Sequence, residues 1–297
     1  MKTSCCLCGT YDHSVEIYPA NFDAKSFSIQ VFSARRVPDR RSFRWVACIT
    51  CGQYRSDPVE NLNLESLYAE SSFDYADESK NLAETYSNLI VKSLGDVSGK
   101  SVLEIGGGNG FVLEALLNLG VTEILGVEPS NHAIESASEA VKPFLIKSMF
   151  ERGTVPEEAF DCVAMFHVMD HLPNPLETLE GIREALKRGG ILVIAVHNVK
   201  SWSAKLFKSR SPIFDVEHTY LYSKKSAIAL LQKAGFTEIS ARAYWNVYSL
   251  RYLVQLVPLP RALKLKIING AAGQVLSRIS IPVPLGNMVV LGSRQFQ

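Results

Sequence analysis

Three sets of residues have the types and spacing to do chemistry. Glu104 lies near the end of the apolar run Ser101-Val-Leu-Glu-Ile105, two residues before the glycines Gly106, Gly107, Gly108 and Gly110. A carboxylate in a poorly solvated turn repels a pyrophosphate and attracts a cation. The glycines read GxGxG, whereas the dinucleotide fingerprint GxGxxG needs a glycine at 111, where the chain has Phe111. A second acid, Glu128, ends Glu123-Ile-Leu-Gly-Val-Glu128, the position at which nucleotide folds take hydrogen bonds from ribose hydroxyls. A ligand with a ribose, no phosphate and two cationic centres, S-adenosylmethionine, meets both demands. Cysteines form the second set. Cys5-Cys-Leu-Cys8-Gly9 and Cys48-Ile-Thr-Cys51-Gly52 are CxxCG knuckles that together offer four thiolates to one Zn2+, with Cys6 left over. Four protein ligands leave no open position, so the metal is structural; reduced thiols without metal are the alternative. The third set is Glu217-His218, an acid and a base side by side in a polar loop.

These residues need elements to hold them. Val102, Leu103 and Ile105 favour a buried strand, Gly106 to Gly110 a tight turn, and Phe111 to Leu119 a helix closed by Gly120. After Glu128 the pattern predicts a helix over 131–140 capped by Ser130 or Asn131, a strand over 143–146 and a strand over 160–166. Ligands of open α/β sheets bind at the carboxyl ends of the strands, so Phe166 and His167 face the cofactor. A helix from Asn174-Pro175, the turn Gly189-Gly190, a strand over 191–196, a helix over 224–234, a strand through Ala243 and a final strand over 287–291 complete the alternation. A helix over 81–94, apolar at Leu82, Tyr86, Leu89, Ile90 and Leu94, covers the sheet. The fold class is α/β, a Rossmann-like, mostly parallel seven-stranded sheet beside a small zinc ribbon whose strands include 26–32 and 44–47.

Four stretches in order resemble the class I S-adenosylmethionine-dependent methyltransferases: Val102-Leu-Glu-Ile-Gly-Gly-Gly-Asn-Gly110, Gly126-Val-Glu-Pro-Ser130, 160–175 and Lys187-Arg-Gly-Gly-Ile-Leu-Val-Ile194. The resemblance covers roughly 80 to 240. It implies Gly106, Gly108, Gly110, Glu128 and Pro129 as cofactor contacts, with Met149 and Phe150 flanking the adenine, though Met149 serves the core equally well. With the ribbon and the segment around Tyr68 and Tyr75 included, the chain is similar to bacterial methyltransferases with an N-terminal zinc-binding domain, among them the sugar C-methyltransferases. Those carry a Glu-His pair whose histidine is the base, and a second histidine that matches His171. The resemblance therefore implies His218 as base, Glu217 as its orienter and His171 as a further catalytic residue, beside a structural role for either histidine. The chain departs from them in having Asp215 where an aromatic hydroxyl stands and in lacking their long C-terminal domain. His13, His132 and His197 have no such context.

The chain has 297 residues, 47% of them apolar, and a formal charge of +1, which fits a globular chain and excludes disordered or fibrous classes. No apolar run reaches the roughly 18 residues of a membrane span, and the N-terminus lacks the apolar core of a signal peptide, so the expected location is the cytoplasm. Four segments are expected: a ribbon at 1–57, a helical connector at 58–98, the cofactor-binding core at 99–243, and a helical lid with the final strand at 244–297. Residues 239–297 hold no Asp or Glu but carry Arg242, Arg251, Arg261, Lys264, Lys266, Arg278 and Arg294, so that this segment reads as a lid, a dimer contact or a peripheral membrane contact over 244–280. The expected acceptor is a sugar or other polar small molecule of glycan or secondary-metabolite biosynthesis. RNA methylation is the alternative, offered by the ribbon and the basic cluster Arg35–Arg44; overall neutrality counts against nucleic acid. A non-catalytic cofactor-binding scaffold is a further alternative. The sequence leaves the oligomeric state open.

Overall fold

The computed structural model describes residues 4–11, 13–22, 41–57, 64–70, 78–257 and 259–295. The strands in chain order are β1 Ser14–Tyr18, β2 Trp45–Cys48, β3 Tyr54–Ser56, β4 Ser101–Ile105, β5 Glu123–Glu128, β6 Leu145–Lys147, β7 Phe160–Phe166, β8 Leu186–His197, β9 Tyr220–Leu221, β10 Thr237–Ala243, β11 Asn246–Ser249, β12 Ser280–Val283 and β13 Asn287–Ser293. Seven of them form the main sheet in the order β10-β13-β8-β7-β4-β5-β6. The five from β8 to β6 run parallel, while β13 is antiparallel to β8 and to β10. The expected seven-stranded α/β fold is therefore observed.

Alternation along the central strands builds two cores. Leu103, Ile105, Val163 and Met165 point to one face, where helices Pro175–Ala185 and Lys224–Lys233 cover them. Val102, Cys162, Ala164 and Phe166 point to the other, under helices Ser79–Leu94 and Phe111–Asn118. Side chains of a strand alternate with a period of two, so a strand buried on both faces reads as a continuous apolar run. Glu104 interrupts β4 as a buried acid, and its register neighbours Gly126 and Ala164 are small enough to leave room for its carboxylate.

Several boundaries move. The helix expected over 131–140 ends at Glu135, and Pro143, whose ring has no N–H to donate, sits second in a short 3-10 turn, Lys142–Phe144, before β6. Within the helical segment expected over 244–297, the stretch after Pro260 forms two helices, Arg261–Asn269 and Ala271–Ser277, because Gly270 is extended at φ −87° and ψ 177°. At the N-terminus β1, β2 and β3 form an antiparallel ribbon, but β3 also pairs with β9, with Tyr54 opposite Leu221. Residues 220 and 221 thus give the ribbon its fourth strand. The strand expected over 26–32, Tyr75 and residues 35–40 of the basic cluster lie outside the described residues; Arg44, at the cluster's end, pairs with Asp57.

Candidate functional site

The carboxyl ends of β4, β5, β7 and β8 open into one cavity of about 720 Å³. Its lining includes Glu104, Gly106, Gly108, Glu128, Pro129, Met149, Phe150, Phe166, His167, His171, Glu217 and His218, so all but one of the cofactor and catalytic residues read from sequence converge there. The exception is Gly110. It caps helix Phe111–Asn118 in a left-handed conformation, φ 76°, and a Cβ there would stand 2.8 Å from Val141. Its role is the turn and the packing beneath it, and it does not line the cavity.

The cofactor half is built by backbone. Gly106, φ 70°, donates its N–H to Val127 O at 2.8 Å and passes Val168 so closely that a Cβ would lie 2.4 Å from Val168 Cγ2. Glu128 accepts from Gly108 N on one oxygen and from Ser130 N on the other, both at 2.8 Å, which fixes the carboxylate while leaving lone pairs for a ligand. Burial pushes the Glu128 carboxyl up, against those two N–H groups. Burial, with the charge of Glu128 beside it, holds the Glu104 carboxyl well above the usual range. Glu104 Oε2 is enclosed and has no partner among the described residues. An ammonium group would supply both the missing donor and the missing charge, so the residues present fit S-adenosylmethionine. Tyr86 stacks on Phe166 at 4.2 Å between ring centroids and closes the side of the half-chamber.

The other half of the cavity is built by side chains from distant segments. His218 Nδ1 donates to Ile213 O at 2.7 Å, which leaves Nε2 as the acceptor nitrogen. The sequence reading puts Glu217 behind His218; in the structure Glu217 Oε2 lies 3.8 Å from His171 Nδ1, which Tyr68 Oη also meets at 2.9 Å. His171 and His218 are 4.7 Å apart between ring centroids, and His197 is 5.1 Å from His218. His197, which has no context in the sequence reading, is thus a correction. It lines the cavity, and its Nδ1 is 2.5 Å from Oδ2 of the fully buried Asp170. The signal was available, since His197 ends β8 as Phe166 ends β7, and the same strand-end rule selects both. Against the penalty of burial, His197, His218 and His171 hold the Asp170 carboxyl well below the usual range. Burial pushes His167 down to about 3, so this imidazole is neutral. Arg251, Tyr252 and Gln255 of helix Leu250–Leu256 also line the cavity.

The ribbon reaches the same half. Cys5 Sγ lies 3.3 Å from Cys51 Sγ and Cys8 Sγ 3.5 Å from Cys48 Sγ, and one ligand atom from each of the four falls within 4.8 Å of the others. A tetrahedron of Zn–S bonds near 2.3 Å has edges of roughly 3.8 Å, so the set fits a single zinc. Gly9 and Gly52, φ 74° and 75°, close the knuckles by donating to Cys5 O and Cys48 O. Behind them the buried Trp45 meets Phe214 edge-on at 5.4 Å, and Gln53 Nε2 donates to Leu221 O at 3.0 Å. Phe214 and Leu221 flank Glu217 and His218, so ribbon packing positions the loop that carries them.

A doubly covered sheet of this order, with its ligand pocket at the carboxyl strand ends and an acid near the end of each of the first two core strands, defines a class I S-adenosylmethionine-dependent methyltransferase. The family described as Methyltransferase domain matches residues 79–241, and the chain belongs to it. Among solved structures the fold is similar to the YcgJ protein of Bacillus subtilis, at TM-score 0.52 and 16% identity over 71% of this chain and 99% of that one. It is also similar to an S-adenosylmethionine-dependent methyltransferase, possible histamine N-methyltransferase, of Thermotoga maritima, at TM-score 0.50 and 19% identity over 74% and 93%. Curated relatives named tRNA U34 carboxymethyltransferase include one from Pseudomonas fluorescens, 25% identical over 48% of each chain, and one from Desulfotalea psychrophila, 27% identical over 50% of this chain and 49% of that one. The chain spans about half the length of the curated relatives it matches. These names overturn the expectation of a sugar or other small polar acceptor, and with it the argument from neutral charge against nucleic acid. That argument fails physically because +1 is an average over the chain, and residues 239–297 carry bases and no acids. Among the described residues no helix is long and apolar enough to cross a membrane.

Proposed function

We propose that this chain is an S-adenosylmethionine-dependent methyltransferase whose acceptor is an RNA nucleotide, in the first instance of a tRNA. The observation that carries the reading is a single cavity with two chemically distinct ends, the paired acids Glu104 and Glu128 at one and His171 and His218 at the other. The relatives named for tRNA support RNA as the acceptor, as do the exposed Arg242, Lys266 and Arg278, which offer phosphate contacts. Bound S-adenosylmethionine supplies an electrophilic methyl on a sulfonium. Glu104 holds the amino group, Glu128 the ribose, and the aromatic wall excludes water. Methyl transfer is an in-line displacement, so most of the rate comes from aligning acceptor atom and methyl carbon. His218 Nε2, oriented by the Ile213 carbonyl, takes the acceptor's proton, and His171, held between Tyr68 and Glu217, positions the acceptor. Cys5, Cys8, Cys48 and Cys51 hold one structural zinc that keeps the ribbon, and through β9 the acceptor loop, in place. The organisation we propose is the ribbon at 1–57, the connector at 58–98, the core at 99–243 and the lid with the last strand at 244–297.

The test is incubation with tritiated S-adenosylmethionine and either bulk tRNA or an RNA-free metabolite extract. Label in tRNA, followed by nuclease digestion and mass analysis that finds one added methyl on a nucleotide, is the expected result. Label confined to the metabolite extract would overturn the RNA acceptor. Calorimetry that finds no cofactor binding would overturn the methyltransferase reading itself.

A further inference from the structure

We infer that His167, Asp170 and His197 hold a divalent transition-metal cation at the acceptor end of the cavity, a site separate from the cysteine knuckles. His167 follows β7 directly and His197 ends β8, so adjacent parallel strands deliver both imidazoles to the same edge, and His167 N donates to Ala195 O at 2.8 Å to lock the two together. Asp170 comes from the short turn Met169–His171 behind them. One ligand atom from each of the three lies within 4.8 Å of the other two. The histidine rings are 4.6 Å apart between centroids.

Two atoms of this set are enclosed and have no partner among the described residues: His167 Nδ1 and Asp170 Oδ1. Asp170 is fully buried, and its contact with His197 Nδ1 uses Oδ2 alone. A role limited to orienting His197 therefore accounts for one carboxylate oxygen and leaves the other sealed from water with no donor, a costly arrangement that a cation relieves. Two imidazoles and one carboxylate form a facial set that leaves coordination positions open, and its mixed nitrogen and oxygen donors suit Mn2+, Fe2+, Co2+ or Zn2+. Both histidines line the cavity while Asp170 stands behind them, so the open positions face the acceptor chamber. The role of the ion, though not its binding, rests on the methyl-transfer reading. An acceptor hydroxyl bound at an open position is acidified; its proton passes to His218, its oxygen bonds the methyl carbon, and the C–S bond breaks to leave a neutral thioether.

Manganese separates the two metal sites, because thiolate sets favour softer ions. The full chain, loaded with zinc at the knuckles, is titrated with Mn2+ and unbound Mn2+ is read by electron paramagnetic resonance. The expected result is one Mn2+ bound per chain, weakened by at least about tenfold in Asp170→Asn and in His197→Gln, with S-adenosylhomocysteine affinity retained as the sign of a folded cofactor half. Should Asp170→Asn fail to fold, His197→Gln decides. Wild-type chain that takes up neither Mn2+ nor Co2+, or a folded variant that binds as the wild type does, overturns the site. Because neither RNA nor turnover enters the readout, that failure would leave the methyltransferase reading standing.

Discussion

The two ends of the cavity are made in opposite ways. The cofactor end is local: Glu104, Gly106, Gly108 and Glu128 lie within one strand-turn-helix-strand unit, and backbone N–H groups do most of the holding. The acceptor end gathers Tyr68, His167, His171, His197, Ile213, Glu217, His218 and Arg251 from segments far apart in the chain, and the ribbon braces it from outside. A backbone cradle tolerates change in most side chains around it, whereas a convergent set depends on every element that delivers a member. Substitutions at the acceptor end should therefore cost turnover and those at the cofactor end should cost affinity.

The largest expected effect sharpens that contrast. His218→Ala should lower turnover by about 10²–10⁴-fold with cofactor affinity unchanged, as single-turnover kinetics and calorimetry would measure. Normal turnover per folded molecule would place the reaction under positioning alone. Glu128→Ala should weaken S-adenosylmethionine binding by about 1–3 kcal/mol, the range for losing a charged hydrogen-bond partner, and should leave the saturated rate close to wild type. The pH dependence of binding has a definite sign. Burial and the neighbouring Glu128 raise the Glu104 pKa, so at any pH below that raised value the empty site holds a proton that the cofactor's ammonium must expel. Affinity should fall as pH drops below that raised pKa, and Glu104→Gln should be weaker but flat with pH; an equal slope in the two proteins would remove Glu104 from the cofactor contact.

Cys48→Ser tests whether the bracing matters. Elemental analysis should find one zinc per chain in the wild type and none in the variant. Turnover should drop by roughly tenfold, because β3 carries β9 and β9 begins two residues after His218, while cofactor affinity holds. A zinc-free variant with full turnover would break the link between ribbon and acceptor loop. The smallest change is Tyr68→Phe, which removes the hydroxyl contact to His171 Nδ1 and should cost about 0.5–1.5 kcal/mol, read in kcat/KM for the acceptor.

The sequence alone marked out the glycine turn with its two acids and the cysteine knuckles. Their residues are a few positions apart, their glycines are required by positive φ at Gly106, Gly9 and Gly52, and β4 and β7 read directly as buried strands because both faces are covered. A resemblance also pointed to His218 and His171 together, and both line the cavity. Tertiary structure decided the rest. Which group orients His218 depended on Ile213 turning its carbonyl inward, and the partnership of Asp170 with His197 depended on two strands lying side by side. No local pattern marks a two-residue strand such as β9, whose strand partner is β3, a segment far away in the chain. Side-chain types and short spacings carry the chemistry of single groups, but distances between groups on different strands are set only when the sheet orders those strands and the two cores fix their register.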